Sequence, residues 1–161
     1  MPESKVINVL IGSIDLTRAP NRLASVLGSC IGLVLWDQEQ RLAGMAHILL
    51  PDSRGQAGEN LPGKYADSAV PTLMRALRER GADPHRLRAK AAGGARMFQR
   101  VSAGGSGDVG AQNIAAVKAA LGSVKITILA EDFGGVRGRK ILFDPATGQF
   151  SVETLDHVNA I

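Results

Sequence analysis

The sequence predicts a single α+β domain over residues 1–161, rich in strands and carrying two principal helices. Three observations predict it: apolar, β-branched runs of strand length, two stretches with apolar residues at helical spacing, and turn-forming clusters between them. A chain of 161 residues can bury most of its unfolded surface, and an apolar fraction of 45% suits a packed core. With only 4% aromatic residues, that core must be built from Val, Ile, Leu and Ala.

Val6 to Ile11 and Leu27 to Trp36 read as strands interrupted by glycine. Thr17 to Arg22 is loop-like, with Pro20-Asn21 as its turn signal. Asp37 to Gln40 is a polar break, and Leu42 to Leu50 resumes an apolar run that Pro51 stops, which outlines a β-hairpin. From Pro51 to Gly63 the composition predicts an exposed, mobile loop. Leu73, Met74 and Leu77 predict an amphipathic helix ending at Gly81, with Pro71 in its first turn, or kinking it if the helix begins nearer Tyr65. Leu87 to Ala92 is a further strand running into Gly93-Gly94, and Ser102 to Gly110 is a glycine-rich loop. Asn113 to Leu121 has helical periodicity. Val124 to Ala130 and Lys140 to Phe143 are strands, and the turn Asp144 to Gly148 leads into Phe150 to Val152. No internal repeat or linker stands out.

The single cysteine excludes an intramolecular disulfide. Nothing near Met1 has the basic and long apolar regions of a signal peptide, and no window approaches the roughly 20 apolar residues of a membrane span. A soluble, cytoplasmic protein without membrane insertion is expected. The formal charge of +4 is not gathered in one tract, so it suits an acidic protein surface without pointing to nucleic acid.

Cys30 follows Gly28-Ser29 and opens an apolar strand. A lone cysteine is often an inert, buried hydrophobe. A glycine two residues before a nucleophile instead lets the backbone bend and leaves the local amides of Ser29 and Cys30 free to face an oxyanion. His47 lies alone among aliphatics, and its plain reading is a core imidazole bonded to a carbonyl. If Gln38-Glu39 is a two-residue turn, Asp37 faces Gln40 and Cys30 lies directly opposite His47, with Cβ atoms about 4.5–5.5 Å apart. A slip of one residue would separate them onto opposite faces. As a pair they would form a nucleophile and its base: the imidazole takes the thiol proton, giving a thiolate–imidazolium pair, and returns it to a leaving nitrogen.

Leu27-Gly28-Ser29-Cys30 with its strand ending Leu35-Trp36-Asp37, and Gly44 to Pro51 around His47, resemble the nucleophile and histidine motifs of the chemoreceptor glutamine deamidase (CheD) family. Lys64 to Asp67, Gly93 to Phe98, Gly110 to Asn113, Ala130 to Gly135 with Gly138 to Lys140, and Asp144 to Gly148 follow in the family's order, so the resemblance covers nearly the whole chain. It implies layered, mixed β-sheets with flanking helices, similar to the catalytic domain of cytotoxic necrotizing factors. It also implies cysteine-dependent conversion of glutamines to glutamate, with release of ammonia and no cofactor, on methyl-accepting chemotaxis receptors. The implied partners are receptor cytoplasmic domains and a CheC-type phosphatase. The family's catalytic threonine falls six residues before the cysteine, where this chain has Ala24, with Ser25 beside it. Ser25 acting through a local bulge, another group in the role, reduced activity, and Ser25 as a plain serine are the open readings. A homologue that binds receptors or the phosphatase without turnover is the alternative function. Gln112 likewise stands where the family has arginine.

Gly134 to Lys140 lacks the ending of a P-loop and reads as a turn with basic surface. Glu131 and Asp132 read as a solvated loop, and His85 and His157 have no metal-ligand spacing to Cys30 and His47.

Overall fold

The computed structural model describes residues 3–56, 60–97, 108–154 and 157–161. The described residues form ten strands, two helices and one 3-10 turn. The strands are β1 (Val6–Asn8), β2 (Ile14–Arg18), β3 (Arg22–Leu27), β4 (Ile31–Asp37), β5 (Leu42–Ile48), β6 (Arg88–Gly93), β7 (Ile128–Phe133), β8 (Arg139–Phe143), β9 (Phe150–Glu153) and β10 (Val158–Ala160). Helix α1 spans Ala66–Glu79, α2 spans Val109–Ser123, and the 3-10 turn is Pro84–Arg86. Two mixed five-stranded sheets result, in the orders β1-β3-β8-β9-β10 and β2-β5-β4-β6-β7.

The second sheet is the middle layer. Strand side chains alternate between faces, and β4 and β5 are buried on both, which explains why all their residues except Asp37 and His47 are apolar. Ile31, Leu33, Leu35, Leu42, Ala46 and Ile48 pack with Leu73 and Leu77 of α1 and Val117 and Leu121 of α2. On the opposite face Cys30, Val34, Trp36, Ala43 and Met45 meet Leu23, Leu27, Ile141, Phe143 and Phe150 of the first sheet. At Gly32 a Cβ would lie 2.3 Å from Ile141 Cδ1, so the absence of a side chain lets the two sheets approach there. Among the described residues, no helix is long and apolar enough to cross a membrane.

Several expectations need correction. The run Leu27 to Trp36 is not one strand: Leu27 is the last residue of β3, and Gly28-Ser29-Cys30 carries the chain across to β4 in the other sheet. The predicted loop from Thr17 is partly β2, whose Leu16 and Thr17 pair with β5, and β1 stops at Asn8 rather than Ile11. The hairpin forms, but its turn holds four residues because Asp37 pairs with Leu42. The Asp37 carboxylate accepts from the Glu39 and Gln40 amides, and Arg41 turns through φ 48°. Of the two starts the sequence left open for α1, the structure takes the one beside Tyr65, at Ala66, so Pro71 is interior, and Gly81 follows the helix end with φ 106° as expected. β7 starts four residues later than Val124, and β10 has no counterpart among the strands expected from the sequence. Glu131 and Asp132 lie on β7 rather than in a loop; Asp132 pairs with Arg139, which is buried and so removed from the basic surface. The predicted loop Ser102 to Gly110 lies mostly outside the described residues, as do residues 57–59 of the loop after Pro51; within that loop Ser53 is buried against Asp67.

Candidate functional site

The β4–β5 register places Gly32, not Cys30, directly opposite His47. The four-residue turn shifts the pairing by two positions, and a shift of two keeps both residues on one face. Continuing the register one step beyond Ile31–Ile48 makes Cys30 and His47 diagonal neighbours, a relation that separates residues by about 7–8 Å. Gly32 leaves the position between them without a side chain. Both residues face the first sheet, and both are buried, at 7% and 3% exposure. Among the described residues, no hydrogen bond joins the thiol to the imidazole.

Ser25 reaches the same place from the other sheet. β3 pairs with β8 in unbroken register, so no bulge is needed: Leu23, Ser25 and Leu27 face the interlayer. Ala24 alternates to the other face. Ser25 Oγ donates to the Val9 carbonyl at 2.7 Å and lies 2.8 Å from His47 Nδ1, which is itself 3.1 Å from Val9 O. A carbonyl only accepts, and the one hydroxyl proton of Ser25 is spent on Val9 O. Nδ1 therefore carries the imidazole proton, donated between Ser25 Oγ and Val9 O, and Nε2 is left with a free lone pair. Val9 is held for this task by its amide, which donates to Ala24 O. His47 is anchored by its own backbone, with its amide on Ser13 O and its carbonyl accepting from Gly12.

The crossing Gly28-Ser29-Cys30 is tied down at three successive carbonyls. Ala95 N–H donates to Gly28 O at 3.0 Å, Asn113 Nδ2 to Ser29 O at 3.0 Å, and Gly94 N–H to Cys30 O at 2.9 Å. Asn113 also donates to Leu49 O at 3.0 Å. It occupies the buried stripe Gly110, Asn113, Val117 and Leu121 of α2. Gly93, at φ 115°, passes so close to the crossing that a Cβ would sit 2.1 Å from Cys30 O.

Burial pushes the Cys30 thiol up from its ordinary pKa. Burial pushes His47 down, opposed in part by the bond to Val9 O. Both shifts favour the uncharged pair, a protonated thiol beside a neutral imidazole, over the preformed thiolate–imidazolium expected from the sequence. His85 and His157 lie elsewhere, and among the described residues no group of three metal-ligating side chains occurs. Two site features have no signal in the sequence: the Val9 carbonyl, which carries no side chain, and Gly32, legible only once the register is known. Asn113 lies in the block Gly110 to Asn113 that the resemblance covers, but its role at the crossing is legible only in the structure.

A thiol, an imidazole with one nitrogen committed and the other free, and a hydroxyl make up the set of groups that thiol-dependent acyl-transfer proteins use. The comparison with protein families places the chain, rather than these three side chains, in a lineage. Residues 49–154 match the model of CheD chemotactic sensory transduction, and the chain belongs to the CheD family. It is 40% identical to the probable chemoreceptor glutamine deamidase CheD of Clostridium botulinum, covering 94% of each chain. It is 42% identical to the chemoreceptor glutamine deamidase CheD of Halalkalibacterium halodurans over 93% of this chain and 94% of that one. For the Bacillus licheniformis protein of the same name the identity is 39%, over 95% and 92%.

Proposed function

We propose that this protein hydrolyses the side-chain carboxamide of selected glutamines on methyl-accepting chemotaxis receptors, in the cytoplasm, with Cys30 as nucleophile and His47 as base. The observation that carries the mechanism is the pair of contacts at His47 Nδ1, with Val9 O and Ser25 Oγ: they commit the Nδ1 proton and so leave Nε2 unprotonated, on a residue that shares a sheet face with Cys30. As Cys30 Sγ attacks the carboxamide carbon, its proton passes to Nε2, and the carbonyl oxygen becomes an oxyanion facing the Ser29 and Cys30 amides. Collapse breaks the C–N bond; the leaving nitrogen takes the proton from Nε2 and departs as ammonia. Water then attacks the thioester, giving its proton to Nε2, and the C–S bond breaks to release glutamate and restore the thiol. The balance is one glutamine and one water to one glutamate and one ammonia. Ser25 takes the place of the family threonine as a positioning residue.

The layered toxin-like architecture and a CheC-type phosphatase partner belong to the same reading and are supported by the family resemblance. Incubation with receptor cytoplasmic fragments should add about one dalton at particular glutamines, and Cys30→Ala should abolish the gain, because covalent catalysis requires the nucleophile. Absence of any gain with the wild-type protein would remove the enzymatic reading.

One observation favours a second reading: the thiol is buried, shifted upward and not hydrogen-bonded to His47. A homologue that binds receptors or the phosphatase without turnover would give no mass gain, and its Cys30→Ala variant would retain signalling and partner capture.

A further inference from the structure

We infer that Asn113 is a positioning residue for the oxyanion site, orienting the Cys30 amide through the carbonyl of Ser29. The inference rests on the thiol-acyl-transfer reading above. A peptide unit is planar and trans, so its C=O and N–H point in opposite directions and turn together. The Ser29 carbonyl and the Cys30 N–H belong to one such unit. Whatever holds Ser29 O therefore aims the Cys30 amide, and what holds it is Asn113 Nδ2. Ala95 N–H does the same for the preceding unit by binding Gly28 O, and Gly94 N–H for the following one through Cys30 O. Two of these three clamps are backbone; Asn113 is the one that a side-chain substitution can remove.

Its orientation is fixed by its partners. Both Ser29 O and Leu49 O can only accept, so the NH₂ end must face them. The other end, Oδ1, is buried and has no hydrogen-bond partner among the described residues. Leaving an acceptor buried and unpaired is unfavourable, and an apolar residue on this fully buried stripe would avoid it. The amide serves the two carbonyls it holds, one beside the nucleophile and one two residues beyond the base. Helix α2 is pressed onto the same backbone at Gly110, where a Cβ would lie 2.4 Å from Gly94 O and 2.6 Å from Ala95 O. The clamp is thus seated on a rigid element at close range.

The test uses two reactions of the same thiol, the single cysteine of the chain. With p-nitrophenyl acetate the sulfur attacks the acyl carbon, passes through a tetrahedral oxyanion, and expels p-nitrophenolate to leave an acetyl thioester. With iodoacetamide the sulfur displaces iodide at a saturated carbon, and no oxyanion forms. In Asn113→Ala and the isosteric Asn113→Asp, acylation should slow by about tenfold or more, as loss of an oxyanion donor does elsewhere. Alkylation and its pH profile should stay within about twofold, because His47 keeps its own anchors. Acylation at the wild-type rate, or both reactions slowing in parallel, would overturn the inference. A wild-type protein that acylates Cys30 through this site yet leaves receptor glutamines unchanged would instead sink the proposed substrate and spare the clamp.

Discussion

At His47 the sequence allowed two readings, a core imidazole satisfied by a carbonyl or a catalytic base, and the geometry joins them. The bond to Val9 O is what frees Nε2. Because that carbonyl also holds Nδ1–H, Ser25→Ala should keep the tautomer and lower deamidation by about tenfold or less. Loss of tautomer control in a serine-protease triad costs about 10⁴-fold. Steady-state kinetics on a receptor fragment would show which applies. The lowered pKa of His47 gives a second expectation. Its base form is complete above the folded-state pKa and is lost as pH falls through it, so the acid limb of kcat/KM should lie below the ordinary histidine value of about 6.5. For Cys30 the sign is opposite: the thiol stays protonated beyond its ordinary range, and the iodoacetamide profile should have its midpoint above that of a free cysteine. A low-pH thiolate plateau would contradict both the burial argument and the neutral resting pair.

Elements decide where such residues meet, and the β4–β5 turn decides most. Asp37, fully buried, accepts from the Glu39, Gln40 and Asp83 amides and takes a bidentate contact from Arg86 at 2.9–3.0 Å. Desolvation acts to raise its pKa, but the Arg86 and backbone hydrogen bonds prevail and hold it below the ordinary carboxylate range. Its contribution is therefore present above the unfolded value and lost as pH falls through the folded one. Asp37→Asn should lower stability by about 2–3 kcal/mol at neutral pH, and the gap from wild type should narrow below about pH 4 in thermal melts. The turn also shows what the sequence could not convey. Gln-Glu is not a favoured hairpin turn, so the register the sequence suggests lies two residues off, yet the shared face survives because an even shift keeps it. In the sequence Gly28 reads as an interruption within one strand; that it marks a change of sheet depends on Leu23, Ser25 and Leu27 finding β8, a pairing more than a hundred residues distant. Helix identities were plain from spacing, whereas β10 is short and fully exposed and left no apolar pattern to read.

The whole molecule is three layers, and the candidate site is built across the boundary between two of them. Gly32 sets how closely the sheets approach; Gly32→Val would drive a side chain into Ile141 and should cost about 1–3 kcal/mol, measured by urea denaturation. Cys30 and His47 travel with the middle sheet, Ser25 with the outer one, and Val9 continues the outer sheet's edge through its bond to Ala24. A small slide of one layer over the other would break the contacts that hold the imidazole without disturbing any ladder within either sheet. Turnover should consequently vanish at urea concentrations where far-ultraviolet ellipticity is still native, making enzymatic rate an earlier reporter of lost interlayer registry than any measure of secondary structure.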